Sequence, residues 1–144
     1  MKHLDMIAVI DPVQHKAIWA MLGPWSRQHQ ARFQANGTIM FFNNHYILGQ
    51  SNHSQLVVVD PQKNEIVRQF SGTKRLSFYS DTKGSGETLP NGNIGILSTD
   101  EGRLLEITPQ GKLVWSFDLN TPVSNVQYME KGYFTPDFCS EIGC

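Results

Sequence analysis

The sequence predicts an all-β fold assembled from recurring antiparallel hairpins, on three observations. First, one pattern occurs three times. Met6-Ile7-Ala8-Val9-Ile10-Asp11-Pro12 is followed by Lys16-Ala17-Ile18-Trp19, Gln55-Leu56-Val57-Val58-Val59-Asp60-Pro61 by Glu65-Ile66-Val67-Arg68, and Arg103-Leu104-Leu105-Glu106-Ile107-Thr108-Pro109 by Lys112-Leu113-Val114-Trp115. Each reads as a strand, a turn with Asp or Thr before Pro, and a second strand; proline suits such turns because its φ is already set. Second, an Asn-Gly hairpin interleaves with these, since Ala35-Asn36-Gly37-Thr38-Ile39-Met40-Phe41-Phe42 matches Pro90-Asn91-Gly92-Asn93-Ile94-Gly95-Ile96-Leu97. Asn and Gly both tolerate the positive φ of a tight turn. Third, no stretch shows sustained helical periodicity, so helix content is expected to be low. The copies recur about every 48 residues, and four antiparallel strands in about 45 residues is the unit of a β-propeller blade.

In chain order, residues 1–22 supply only the outer hairpin of a blade. Residues 28–70 and 79–117 supply two four-stranded blades, with Gln28 to Phe33 entering the Asn36-Gly37 turn. Thr38 to Phe42, β-branched and aromatic, should leave that turn as a buried strand. The tail from Asn120 to Cys144 is aromatic and irregular, a strand or a strap, and Val126, Tyr128, Tyr133, Phe134 and Phe138 are too apolar to stay free. They are expected to pack on the last blade or on a neighbouring chain. The whole is a partial propeller of about two and a half four-stranded blades, fewer than the roughly four to eight that close a ring. An open arc leaves two sheet faces bare, expected to carry Ile7, Val9, Val57, Val59, Leu104 and Ile107 or their alternates. Two assemblies resolve this. A homodimer completes the ring, or the chain is the C-terminal part of a longer protein, the reading favoured here.

Composition narrows the function classes. A chain of 144 residues makes one domain with a real core. A net charge of -1 with 17% charged residues gives no basic field for nucleic acid. No apolar run approaches the roughly 20 residues of a membrane span. Met1-Lys2-His3-Leu4-Asp5 opens without the apolar run of a signal peptide. Cys139 and Cys144, both near the end, allow a short-loop disulfide but no disulfide scaffold.

The motif order then becomes specific. Ile7 to Pro12, Trp19, Leu22-Gly23-Pro24, Gln28-His29-Gln30-Ala31-Arg32-Phe33, and Asn36-Gly37 with Phe42-Asn43-Asn44 resemble the arylsulfotransferase family. So do Phe78-Tyr79-Ser80, Gly86, Leu89-Pro90-Asn91-Gly92-Asn93, Ser98, Glu101-Gly102-Arg103, Glu106-Ile107-Thr108-Pro109 and Val114-Trp115, over Leu4 to Phe117. The resemblance implies a six-bladed propeller with its active site in the central channel. It implies transfer of a sulfuryl group from a phenolic sulfate ester to a phenol, with no cofactor and no nucleotide sulfate donor, through a transiently sulfated histidine. The family's Gln-His-x-Ala segment carries that histidine, here His29. An arginine is expected in a Ser-x-Arg-His segment ahead of the first strand, where this chain reads Met1-Lys2-His3, with Lys2 in the arginine's place. The family's histidines from still earlier blades have no counterpart. Bacterial members are typically periplasmic or secreted.

The residues themselves leave alternatives open. A neutral imidazole is a competent nucleophile near physiological pH, yet a lone histidine is more often structural. Substrate contacts are expected from Arg27, Lys2 and His3, although Arg27 could point to the opposite side of its strand. Arg32 reads as a solvated or interface charge, and His15 as an exposed turn residue. His45 and His53 lie in a polar loop without metal-ligand spacing, so no metal site is expected. Gly84, Gly86 and Gly92 fit hairpins better than a phosphate loop, because no helix follows them. A non-catalytic propeller fragment or binding module stays open beside the enzyme, since fold does not fix function.

Overall fold

The computed structural model describes residues 4–45, 53–72, 76, 78–129 and 132–143. Among them, ten strands form three antiparallel sheets, the all-β, partial-propeller class that the repeats predict. β1 (Met6–Asp11) and β2 (Lys16–Leu22) make a two-stranded sheet. β3 (His29–Phe33), β4 (Ile39–Asn43), β5 (Gln55–Asp60) and β6 (Glu65–Ser71) make the middle sheet in that order. β7 (Ser85–Thr88), β8 (Ile94–Ser98), β9 (Arg103–Ile107) and β10 (Leu113–Asp118) make the third. A single seven-residue helix, α1 (Pro136–Ile142), follows.

The turns repeat atom by atom. Asp11 Oδ1 accepts from the Val13 and Gln14 amides, and Asp60 Oδ1 from those of Gln62 and Lys63. In the third copy Thr108 Oγ1 accepts from the Lys112 amide instead. The residue before proline thus closes each turn with its side-chain oxygen, as Asp and Thr do in Asx- and ST-type turns. Asn36 and Asn91 likewise accept from the amide two residues on, while Gly37 and Gly92 share φ of 82°.

Two-residue periodicity sorts the core. Ile39, Phe41, Val57 and Val59 project from one face of the middle sheet onto Ile7, Val9, Trp19 and Met21 of the first. Met40, Phe42, Leu56, Val58 and Phe70 project from the other onto Ile94, Ile96, Leu105 and Ile107 of the third and onto Phe78 of the segment before it. Ile7, Val9, Val57, Val59 and Ile107 therefore face inward, not outward. It is their alternates Ile10, Ile18 and Leu22, exposed at 58%, 57% and 69%, that stand on the bare outer face of the first sheet.

The outer face of the third sheet is covered by the chain's own tail. The Leu119 amide donates to Gly102 O and the Val123 amide to Thr99 O. A Cβ on Gly102 would lie 1.9 Å from Thr121 O, and one on Gly95 would lie 2.6 Å from the Tyr128 ring, so both glycines are notches for this strap. Leu97 and Leu104 pair on the same face as Gly95 and are buried. The aromatics divide. Tyr128 packs on the sheet as expected, whereas Tyr133, Phe134 and Phe138 stack on one another and stay exposed. The reason is local. α1 is capped by Thr135 and Gly143, holds a disulfide-bonded Cys139 and buries none of its residues, so it needs no sheet beneath it.

Two outcomes are expected. Truncation after Asn120 uncovers Leu97 and Leu104 and should lower the melting temperature by several degrees, on the scale of about 1 kcal/mol per 2–8 °C; an unchanged melting curve would show the strap to be idle. Tyr128 has no hydrogen-bond partner for its hydroxyl among the described residues, and its pKa is pushed up to about 12 by burial, then by the charges of Glu87 and Glu106. The folded state thus prefers the neutral phenol. That stability is full below pH 10, where the unfolded tyrosine is also neutral, and is lost as pH rises toward 12. Urea midpoints at pH 9 and pH 11 should therefore diverge more in wild type than in Tyr128→Phe.

Candidate functional site

The approach to His29 is pinned residue by residue. Trp25 is buried edge-on against Phe41, with ring centroids 5.0 Å apart. The Ser26 amide donates to Asn43 Oδ1 at 3.0 Å, and Gln28 Nε2 donates to Met6 O at 2.9 Å. Arg27 and Gln30, on either side of His29, hold φ of 52° and 55°. The register slips by one residue between the pairs His29↔Phe42 and Arg32↔Met40. A bulge of this kind bends the strand and re-aims a side chain, here at the strand's first residue.

What His29 meets is Asn44, fully buried, whose Oδ1 lies 2.8 Å from His29 Nδ1. The Asn44 amide has no freedom to flip. Its Nδ2 donates to both Ser80 O at 2.6 Å and Lys83 O at 2.7 Å, two acceptors that only an NH2 group can serve. Oδ1 must therefore accept, and His29 Nδ1 must carry the proton. The lone pair is left on Nε2, which has no partner among the described residues. This assignment follows from the hydrogen-bond network. The ring is thus oriented through Nδ1 by Asn44.

Arg27 precedes the strand in a left-handed bend, so the strand's alternation does not decide its direction. Its Nη1 donates to Asp81 Oδ1 at 2.8 Å, and the Tyr79 hydroxyl donates to the same oxygen at 3.2 Å. Asp100 Oδ2 holds that turn by accepting from the Asp81 and Thr82 amides. The segment 79–83 thus reaches Arg27 through Asp81 and His29 through Asn44. Asn44 and Asp81 are site residues whose part sequence reasoning missed. The adjacent Asn43-Asn44 after an apolar strand was the available signal; Asp81 offered none.

His45 and His53 stack with ring centroids 4.6 Å apart, and the His45 amide donates to Asn43 Oδ1. Burial, then the neighbouring His53, pulls the His45 pKa below its ordinary value. Among the described residues no group of three or more His, Cys, Asp or Glu could hold a metal ion. His15 is exposed in its turn, and Arg32 is a half-exposed partner of Glu87. Lys2 and His3 lie outside the described residues.

A cleft of about 780 Å³ opens elsewhere, between the middle and third sheets, and includes Arg32, Phe33 and Gln34 in its lining. His29 is the first residue of β3 and Phe33 the last, so the cleft is at the opposite end of β3 from the imidazole. The cleft and the His29 imidazole are therefore separate places on the middle sheet.

The sequence profile of the family described as Arylsulfotransferase (ASST) matches residues 1–120. No curated protein matches the chain. Asn44→Ala would strip the donors from two backbone carbonyls. It should destabilise the fold by about 2 kcal/mol, read as a drop in the urea midpoint at unchanged slope.

Proposed function

Because the chain belongs to the arylsulfotransferase family, we propose that it takes part in sulfuryl transfer from a phenolic sulfate ester to a phenol, with His29 as the group that is transiently sulfated. The observation that supports this reading is the fixed tautomer of His29, with Nδ1–H on Asn44 Oδ1 and the Nε2 lone pair outward.

The proposed transfer runs in two steps. Nε2 attacks sulfur, the N–S bond forms as the S–O bond to the donor breaks, and the phenolate leaves. The imidazole becomes cationic, and the Nδ1–H···Oδ1 bond to Asn44 strengthens as it does so. An acceptor phenol then attacks the same sulfur from its oxygen; the new S–O bond forms as the N–S bond breaks, the phenol's proton passes through solvent to the released phenolate, and His29 returns neutral. Little covalent work falls to the protein beyond the nucleophile; the rest is positioning and stabilisation of charge spread over the sulfuryl oxygens. Arg27 supplies a guanidinium two residues from His29, suited to such oxygens as to phosphate. Lys2 and His3 are proposed as further contacts, on the family pattern alone. The active form is a completed ring, since the described sheets amount to half a blade and two blades; a second copy or additional blades would complete it. No nucleotide donor, cofactor, nucleic acid or membrane enters this reading.

A second reading, a non-catalytic binding module, is favoured by one observation: Arg27 is engaged by Asp81 in place of an anion. An assay of p-nitrophenyl sulfate as donor with phenol as acceptor separates the two. The enzyme reading expects ping-pong kinetics and loss of at least about 1,000-fold in rate for His29→Ala, as for removal of other covalent nucleophiles. Asn44→Ala should lose roughly tenfold, the worth of about 1.4 kcal/mol of orientation. Equal rates in wild type and His29→Ala would remove His29 from the chemistry and leave the binding module.

A further inference from the structure

The cleft between the middle and third sheets has the construction of a ligand site, independent of the transfer chemistry at His29. Its volume, about 780 Å³, falls in the range of about 300–1,000 Å³ typical of small-molecule pockets. Its floor is apolar and comes from both sheets, with Met40 and Val58 on one side and Leu89 and Ile94 on the other. On the side of β3 and β7 it is closed by cross-sheet bonds. Thr88 Oγ1 donates to Gln34 Oε1 at 2.8 Å, and Arg32 Nη1 meets Glu87 Oε2 at 3.4 Å. Those polar groups satisfy one another and leave no net charge.

The other charged group in the lining is different. Arg68 pairs with Val58 across the ladder, so its side chain stands on the face of the middle sheet that forms the cleft floor. It is exposed and lies over the Phe70 ring, 5.7 Å from the centroid, and has no carboxylate partner among the described residues. An apolar trough spanned by two sheets, closed along one side and holding a single uncompensated guanidinium, selects for one kind of molecule. A polyanion would find one cation where it needs several, and a cation would be repelled. A neutral apolar molecule would leave Arg68 unmatched.

We propose that this cleft binds a small monoanion with a flat apolar body, of the aromatic carboxylate or sulfonate class. The ring lies against the apolar floor of Met40, Val58, Leu89 and Ile94, and the anionic head accepts from the Arg68 guanidinium. Binding there bridges the middle and third sheets and holds them together.

The test uses naphthalene-2-sulfonate, whose carbon–sulfur bond gives His29 nothing to transfer. Methyl NMR on the intact chain should show saturable shifts at Met40, Val58, Leu89 and Ile94. Arg68→Glu should weaken binding at least tenfold, as should replacing the probe by neutral naphthalene-2-sulfonamide. Arg68→Gln, which removes the charge but keeps an N–H donor on a shorter side chain, should fall between. His29→Ala should leave the affinity unchanged. Saturable shifts confined to the His29 end or to Ile10, Ile18 and Leu22, equal affinity for wild type and Arg68→Glu, or no saturable shift at millimolar probe would each overturn the proposal.

Discussion

The two-sided burial of the middle sheet is the constraint on which the rest of the molecule depends. Every residue of β4, from Ile39 to Asn43, is buried, and the apolar side chains alternate between two cores. Such a strand cannot face water on either side; burying an Ile, Phe, Met or Val contributes about 1.5–3 kcal/mol. A sheet must therefore lie against each face. The half-sheet of β1 and β2 lies against one, and the sheet of β7 to β10 against the other. Stacking of sheets about a common edge is what propeller repeats do, each unit contacting only its neighbours.

The same packing sets the candidate site. Asn43 and Asn44 end the strand that both cores clamp, so their amides are as rigid as the core itself. Asn43 ties down the incoming chain at Ser26 and the outgoing one at His45. Asn44 spans from the middle sheet to the segment before β7 and spends both amide hydrogens there. The tautomer of His29 is thus a consequence of how two sheets dock. A shift between the sheets would move Ser80 O and Lys83 O, release the Asn44 amide, and let the imidazole choose its proton.

The two ends of the stack are not equivalent. One carries the strap, seated in notches that only Gly95 and Gly102 could provide, with Tyr128 over the sheet. The other presents Ile10, Ile18 and Leu22 to solvent from a sheet of two strands. A contact that used both ends head to tail would have to displace the strap, whereas the bare face is open as it stands. That asymmetry bears on how a ring could be completed, because propeller closure joins the face of a first blade to that of a last.

Much of this was legible in the residues. Repeated Asp-Pro and Asn-Gly turns, with apolar runs of fixed length between them, placed the strands around those turns within a few residues, because turn chemistry and two-residue alternation act locally, whereas the short, Gly-containing β7 (Ser85–Thr88) was given no bounds. The same ordered motifs pointed to the family and to His29. What local rules could not give was which alternates faced a neighbour. Ile7 and Val9 turned inward and Ile10 and Ile18 outward, because that choice belongs to the partner sheet and not to the strand. Nor could they give the hold of Asn44 on His29, the engagement of Arg27 by Asp81, or the cleft beside Arg68. Each of these joins residues at least 15 positions apart, from different strands or sheets. The sequence by itself determined the strands, the turns and the identity of the candidate nucleophile. Only tertiary docking decided which nitrogen of that histidine carries the proton, because the hydrogen-bond acceptors that settle it, Ser80 O and Lys83 O, come from a part of the chain some fifty residues away.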